Sequence, residues 1–399
     1  MSSPAASDRL PVAPSVFMLG LLATSSPLSL SMHVPTIPKI VDALNTDYAT
    51  VQLTVSVYLL CFAVSQLFVG PLSDRLGRRP VLFGGLTLYV CAATAATFAP
   101  TIEVLIAARI VQACGGCAAI VVPRAVVQDT HHGADAARMM AFVAMLQSCA
   151  PSAAPIIGGT LDALIGWRAC FGFLAIYAAV LMSVAAFKLQ ETRPIGEDGR
   201  VASWSEIFSR YGRLLRSRRY IGYTGAFAFG TSGFFGFLAV GPGLLIDEIG
   251  LTTFEFSLAL MSVTVQFVIG SFTASRLVRR FGIDRTLHLG AGLQILSALA
   301  LFALARHPGV FLLLVPMWVY AFSNGFIFPN AMAGATGVDR RIAGAAASFL
   351  GFVQLGIGSV LAGVIGSLPP ENALPLGIAL LLFAALSAIG MLLVRLSPP

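Results

Sequence analysis

Arg109 sits where its chemistry must be explained. It falls in Leu105-Ile-Ala-Ala-Arg109-Ile-Val-Gln112-Ala-Cys114-Gly-Gly116, and no other charge lies between Glu103 and Arg124. A cation held among apolar residues is costly unless it is paired or faces water, and the default reading is a functional residue turned toward a cavity. There it could sense a proton or the occupancy of a ligand. Pairing with Glu103, or bracing helix-end carbonyls, is the structural alternative. Gln112, three residues on, would share its helix face. A second constellation is Gly70-Pro71-Leu72-Ser73-Asp74-Arg75-Leu76-Gly77-Arg78-Arg79-Pro80. Here Gly70 permits close helix approach, Gly77 turns the chain, and Arg78 lies four residues beyond Asp74, within reach of its carboxylate.

Other groups are weaker signals. Cys114 and Cys117 form a CxxC, but redox or metal chemistry would need water and further ligands, so they read as close-packing residues. All six cysteines lie in apolar stretches and imply no disulfide framework. Tyr58, Gln147, Tyr223, Gln266, Asn324 and Gln354 join Gln112 as polar residues inside apolar runs. Phe227, Phe234, Phe235 and Trp318 could supply aromatic walls. Such a mixture suits an apolar pocket for a drug-sized molecule. No metal site or cofactor motif is visible.

The elements that must position these residues follow from composition. Of 399 residues, 57% are hydrophobic and 11% charged, with a mean hydropathy of +0.85. A soluble chain carries about a quarter charged residues, so a soluble protein is excluded, and so is a disordered one. Apolar segments occur at about 14–36, 50–70, 80–99, 101–123, 139–163 and 167–188, then at about 220–246, 254–278, 286–305, 309–331, 342–367 and 373–394. The fold expected is an all-α membrane protein with twelve transmembrane helices in two six-helix bundles. The bundles would be residues 1–189 and 220–399, joined by a linker over 190–219. The stretch from Trp204 to Tyr220 is amphipathic enough to lie along the membrane surface; a solvated linker explains it equally well.

The net charge of +7 has a topological origin. With the N-terminus inside, only Lys39, Arg168 and Arg306 fall in outside segments, and Arg109 alone falls within a span. Every other basic residue is on the inside, among them Arg9, Arg75, Arg124, Arg138, the linker arginines, Arg276–Arg285, Arg340 and Arg341. Both termini are therefore expected in the cytoplasm, and no nucleic-acid partner is implied. Residues 1–13 lack a basic region ahead of a short apolar one, so the first span is expected to be retained.

The 70–80 string resembles the signature loop of the major facilitator superfamily. A degenerate copy, Ser275-Arg-Leu-Val-Arg-Arg-Phe-Gly282 with Arg285 beyond, follows one repeat later, as internal duplication in such transporters implies. The resemblance implies that Asp74 and Arg78 cluster with an acid at the inner end of the fourth helix, for which Asp129 is the match. That cluster would latch the halves in the outward-open state. Arg109-x-x-Gln112-x-x-Gly115 resembles the family's proton-coupling motif. Pro151, Pro155, Gly158 and Gly159 resemble its antiporter motif, with Ala154-Pro155 as the variant of the bicyclomycin and chloramphenicol/florfenicol resistance branch. Val51-Gln52-Leu53-Thr54, Gln66 and Gly241-Pro242 support that branch, the drug:proton antiporters.

One departure matters. Where the branch has Asp-Met-Tyr-x-Pro, this chain has Ser31-Met32-His33-Val34-Pro35, so the usual proton-exchanging acid is absent. His33, two residues along, could replace it; Glu103 or Asp162 could serve; or the protein is a facilitator without coupling. The resemblance implies a bacterial inner-membrane exporter of small amphipathic compounds, a monomer with protons and the bilayer as its other partners. An endogenous metabolite is the alternative cargo, and a non-transporting receptor the alternative class. An enzyme is not expected. Lys39 and Lys188 follow no Gly-rich loop, which excludes a P-loop, and no HExxH or GxSxG occurs.

Overall fold

The computed structural model describes residues 15–131, 133–192, 204–307, 309–339, 342–368 and 373–396. Arg9, Arg193, Arg200, Arg340 and Arg341 of the charge distribution lie outside the described residues. The described chain is helical from end to end. Long apolar runs have no water to satisfy their backbone groups, and helices satisfy them internally. In chain order they are α1 (Val16–Ser31), α2 (Ile37–Ala43), α3 (Tyr48–Leu76), α4 (Arg78–Thr97), α5 (Ile102–Thr130), α6 (Gly133–Leu164) and α7 (Arg168–Lys188). There follow α8 (Trp204–Leu214), α9 (Arg218–Pro242), α10 (Thr253–Leu304), α11 (Val310–Gly337), α12 (Ala343–Gly366) and α13 (Leu374–Arg395). Ten helices among the described residues are long and apolar enough to cross a bilayer. Outward-facing side chains are correspondingly apolar: Ile176 is 69% exposed and Val360 66%.

Backbone breaks punctuate the helices at residues the sequence marks. Gly77 adopts φ 100°, ψ 156° between α3 and α4. Gly282 adopts φ 78°, ψ 172° and is the single interruption in the 52 residues of α10. The two spans expected at 254–278 and 286–305 are thus two helical stretches that meet at Gly282. Both signature-like loops turn on the same positive-φ conformation, which a Cβ would strain. Asp47 caps α3, accepting the Thr50 hydroxyl (2.7 Å) and amide (2.8 Å), and these bonds hold its carboxyl below the usual range.

Helices α1 and α3–α7 pack mainly on one another, as do α9–α13; α3 against α12 and α6 against α10 carry most of the contact between the two sets. The apolar clusters show how the sets meet. At one end Val34, Ile37, Val51 and Val55 share a single cluster with Phe237, Leu238, Val240 and Leu376. At the end carrying Gly77 and Gly282 the clusters are separate, one around Met18, Leu82 and Val122 and another around Tyr220, Phe227 and Leu287. The sets are sealed together at the first end and parted at the second. Helix α8 lies at the parted end, burying Tyr211 and Leu214 while Arg210 and Arg213 stay exposed.

Candidate functional site

Between the parted helices lies a cavity of about 1590 Å³ lined by both sets. Its wall includes Ser31, Tyr58 and Gln147 from the first set and Phe235, Asn324 and Gln354 from the second. Phe227 and Phe234 add aromatic surface. The cavity runs out past Asp74, Arg78 and Glu191 to Arg210 of α8, so it opens at the end of the 70–80 loop.

Its closed end is held by polar contacts across the sets. The Tyr48 hydroxyl donates to the Ala239 carbonyl at 2.7 Å and accepts the Gly243 amide at 3.2 Å. Ser359 donates to the Ser56 carbonyl at 2.6 Å, and Gly366 leaves room for the side chain of Gln52.

Arg109 lies behind the cavity wall, wholly buried on α5. Its Nη1 donates to Ser29 Oγ and Gln112 Oε1, both at 2.7 Å, and its Nε donates to the Thr54 carbonyl at 3.2 Å. The guanidinium lies 4.0 Å from the Tyr58 ring centroid, so Tyr58 presents one side to the cation and also lines the cavity. Among the described residues no carboxylate approaches Arg109 within 4.0 Å, including Glu103, which is exposed. Neutral dipoles and an aromatic face carry the charge.

His33 joins this network through Thr54. It is fully buried; Nε2 lies 3.3 Å from Thr54 Oγ1, and the ring packs with its centroid 5.5 Å from that of Phe171. His33, Arg109 and Gln112 are absent from the cavity wall, whereas Ser31, where the branch has its acid, belongs to it. Asp162 is occupied elsewhere: its buried carboxylate accepts Lys39 Nζ at 2.6 Å.

At the cavity mouth Arg78 is the hub. It bonds Asp74, donates from Nε to Asp129 Oδ2 at 2.8 Å and from Nη1 to Ser73 Oγ at 2.7 Å. Glu191, which sequence reasoning left in the linker, accepts the Arg78 and Arg79 amides at 2.8 and 3.0 Å. Its carboxylate faces the N-terminus of α4, where a negative charge is favoured, and nothing in the sequence around residue 191 marked that contact. Gly70 lines the same mouth and Gly77 starts the turn.

The Pro151–Gly159 segment lies in α6. Pro151 lines the cavity and Pro155 is buried. A Cβ on Gly158 would overlap the Met32 carbonyl, and one on Gly159 would lie 2.5 Å from Ser257 Oγ of α10. The segment therefore presses on both the end of α1 and the opposite set. Three candidate wall residues lie off the cavity. The Tyr223 hydroxyl donates to Asp284 at 2.7 Å, Gln266 is half-buried outside the lining, and Trp318 Nε1 donates to Ser262 at 2.7 Å. Gln354 donates to Thr231 Oγ1 and Gln147 accepts from Arg124, at 2.7 and 2.8 Å. Cys114 and Cys117 are free thiols.

The sequence matches the Major Facilitator Superfamily over residues 19–363. It is 32% identical to a chloramphenicol resistance protein of Pseudomonas aeruginosa, over 92% of this chain and 86% of that one. It is 30% identical to multidrug resistance protein D of Escherichia coli (strain K12), over 93% of each chain. A bicyclomycin resistance protein homolog of Haemophilus influenzae is 26% identical over 90% of this chain and 91% of its own. Among solved structures, a peptide transporter in complex with alafosfalin superposes with a TM-score of 0.76 at 14% identity, covering 97% of this chain and 96% of that one. The nucleoside transporter NupG does so with a TM-score of 0.72 at 15% identity, covering 95% and 98%. These two likenesses establish the fold alone.

Proposed function

The chain belongs to the major facilitator superfamily, a family of membrane transporters rather than enzymes, and from that premise we propose that it exports small amphipathic drugs or related compounds by alternating access in exchange for protons. The observation that carries the reading is the cavity itself. It is aromatic-walled, shared by both helix sets, sealed at one end by Tyr48 and the common apolar cluster, and open at the other. Substrate enters such a cavity from one side and leaves from the other when the sealed and parted ends exchange.

Reading α10 as two spans across Gly282 and counting α6 with the others gives twelve spans in two bundles of six, residues 1–189 and 220–399. On this reading the parted end and both termini are cytoplasmic, which the distribution of basic residues supports, and the membrane is a bacterial inner membrane. The state is inward-open, and the protein acts as a monomer. The resistance-protein relatives support an antibiotic-like cargo. Arg109 and Gln112 form the coupling centre, with His33 exchanging the proton through the shared Thr54. A proton-independent facilitator is the second reading, favoured by the lack of a carboxylate within 4.0 Å of Arg109 among the described residues.

Expression in an efflux-deficient bacterium should raise tolerance to chloramphenicol or another small amphipathic antibiotic, measured as the inhibitory concentration. Unchanged tolerance across such a panel, with the protein present in the membrane, would sink the export reading.

A further inference from the structure

The charged side chains lining the cavity differ in how far they are committed to partners. Asp74 and Arg78 bond each other, and Glu191 accepts three backbone amides, those of Arg78, Arg79 and Thr192. Arg210 stands exposed at the mouth on α8. Arg124 is different. It is half-buried in the wall on α5, donates from Nη2 to Gln147 Oε1 at 2.8 Å, and has no carboxylate within 4.0 Å among the described residues. A guanidinium carries five N–H donors in a planar fork, and the bond to Gln147 is the one Arg124 makes among the described residues.

Its position separates it from Arg109. The two arginines lie on one helix, and 15 residues at the α-helical rise put them roughly 22 Å apart. Arg109 is closed behind Tyr58; Arg124 faces the open volume nearer the mouth. Among the described residues the only acids on the cavity wall, Asp74 and Glu191, are the two at the mouth with partners of their own. Beyond them the wall is aliphatic, aromatic and amide, and includes Phe227, Phe234, Phe235 and Asn324, whose buried Oδ1 has no partner among the described residues. A cation entering this space meets Arg124 and no acid past the mouth. A carboxylate or a neutral electronegative group meets a fork of matching geometry while its rings occupy the aromatic wall.

We propose that Arg124 sets the charge selectivity of the cavity, which takes aromatic amphipaths that are neutral or carry an acidic head and disfavours organic cations. This rests on the reading of the cavity as the substrate site. Positive-inside orientation accounts for an arginine near the inner end of α5, but not for its facing the cavity without an acid.

The test uses the purified full chain in lipid nanodiscs and three probes with one fluorophore: dansylglycine (anion), dansylamide (neutral) and dansylcadaverine (cation), each corrected for binding to empty discs. The wild type should bind the anion and the neutral probe more tightly than the cation. Arg124→Gln should weaken dansylglycine by about tenfold while dansylamide holds within about twofold, the sign expected when one poorly screened charge is lost. Arg124→Lys should keep the preference for the anion. A wild-type preference for dansylcadaverine, an unchanged order in Arg124→Gln, or no probe binding above empty discs would overturn the proposal. Selective binding without gradient-driven flux would sink the antiport reading and leave this one standing.

Discussion

Arg109→Ala is expected to abolish gradient-driven transport while the protein still folds. The two halves of that statement have one cause. Arg109 is wholly buried, and among the described residues its polar partners are all neutral: Ser29, Gln112 and the Thr54 carbonyl. Taking an ion out of water costs several kcal/mol, which a counter-ion and hydrogen bonds normally offset. Here the hydrogen bonds and the Tyr58 face are present and a carboxylate is not. Deleting the arginine therefore strands no buried anion. Arg109→Met, which keeps the side-chain volume, should be the more stable variant and equally inactive. Arg109→Lys loses the fork that bonds Ser29 and Gln112 from one nitrogen and Thr54 from another, and should not restore transport. Thermal unfolding of the purified variants alongside flux checks this. A large drop in melting temperature for Arg109→Met would make Arg109 a structural brace instead.

The second large effect is expected at Arg78, with the opposite stability signature. Arg78→Ala leaves the Asp129 carboxylate, whose side chain is only 10% exposed, without the guanidinium that bonds it. Breaking one side of such a pair costs about 3 kcal/mol or more because the remaining charge stays poorly solvated. The same change frees Asp74 and removes the bond to Ser73. Stability should fall; on the reading that this cluster latches the outward-open state, as the family resemblance implies, the protein should rest inward-open. Tyr48→Phe should shift the balance the other way. It removes two hydrogen bonds across the closed end of the cavity, each contributing about 1 kcal/mol net. Alkylation of Ser31→Cys by a membrane-impermeant reagent added from outside reads the balance. The rate should fall in the Arg78→Ala background and rise in the Tyr48→Phe background. Equal rates in both would remove the assigned switch roles.

The positions of most helices were legible because apolar length is the membrane's own requirement, and Gly77 and Gly282 marked their turns. Arg109 was legible as well, since a charge in an apolar run has few innocent explanations. What the sequence hid was rotation about each helix axis. In a soluble protein polar residues mark the outward face. Here lipid, core and cavity all accept apolar side chains, so Tyr223, Gln266 and Trp318 could not be told from Tyr58, Asn324 and Gln354 by pattern. Arg124 was masked by a rule that is otherwise sound: near the inner end of a span, a basic residue reads as an orientation signal. Glu191 and Tyr48 work through backbone atoms of residues far along the chain, and single-sequence spacing carries no trace of such partners. At residues 31–35 the text showed what was missing and offered His33 in its place. The bond through Thr54 that ties His33 to the Arg109 network could emerge only from packing.

The claim of coupled export is tested most directly by chloramphenicol flux into proteoliposomes holding the wild-type protein, with an acidic lumen imposed. Antiport predicts accumulation in the lumen above the outside concentration, collapse of that accumulation on adding a protonophore, and loss of it in Arg109→Ala and His33→Ala. Uptake that only equilibrates, at the same rate with and without the gradient, would contradict proton coupling and leave a facilitator.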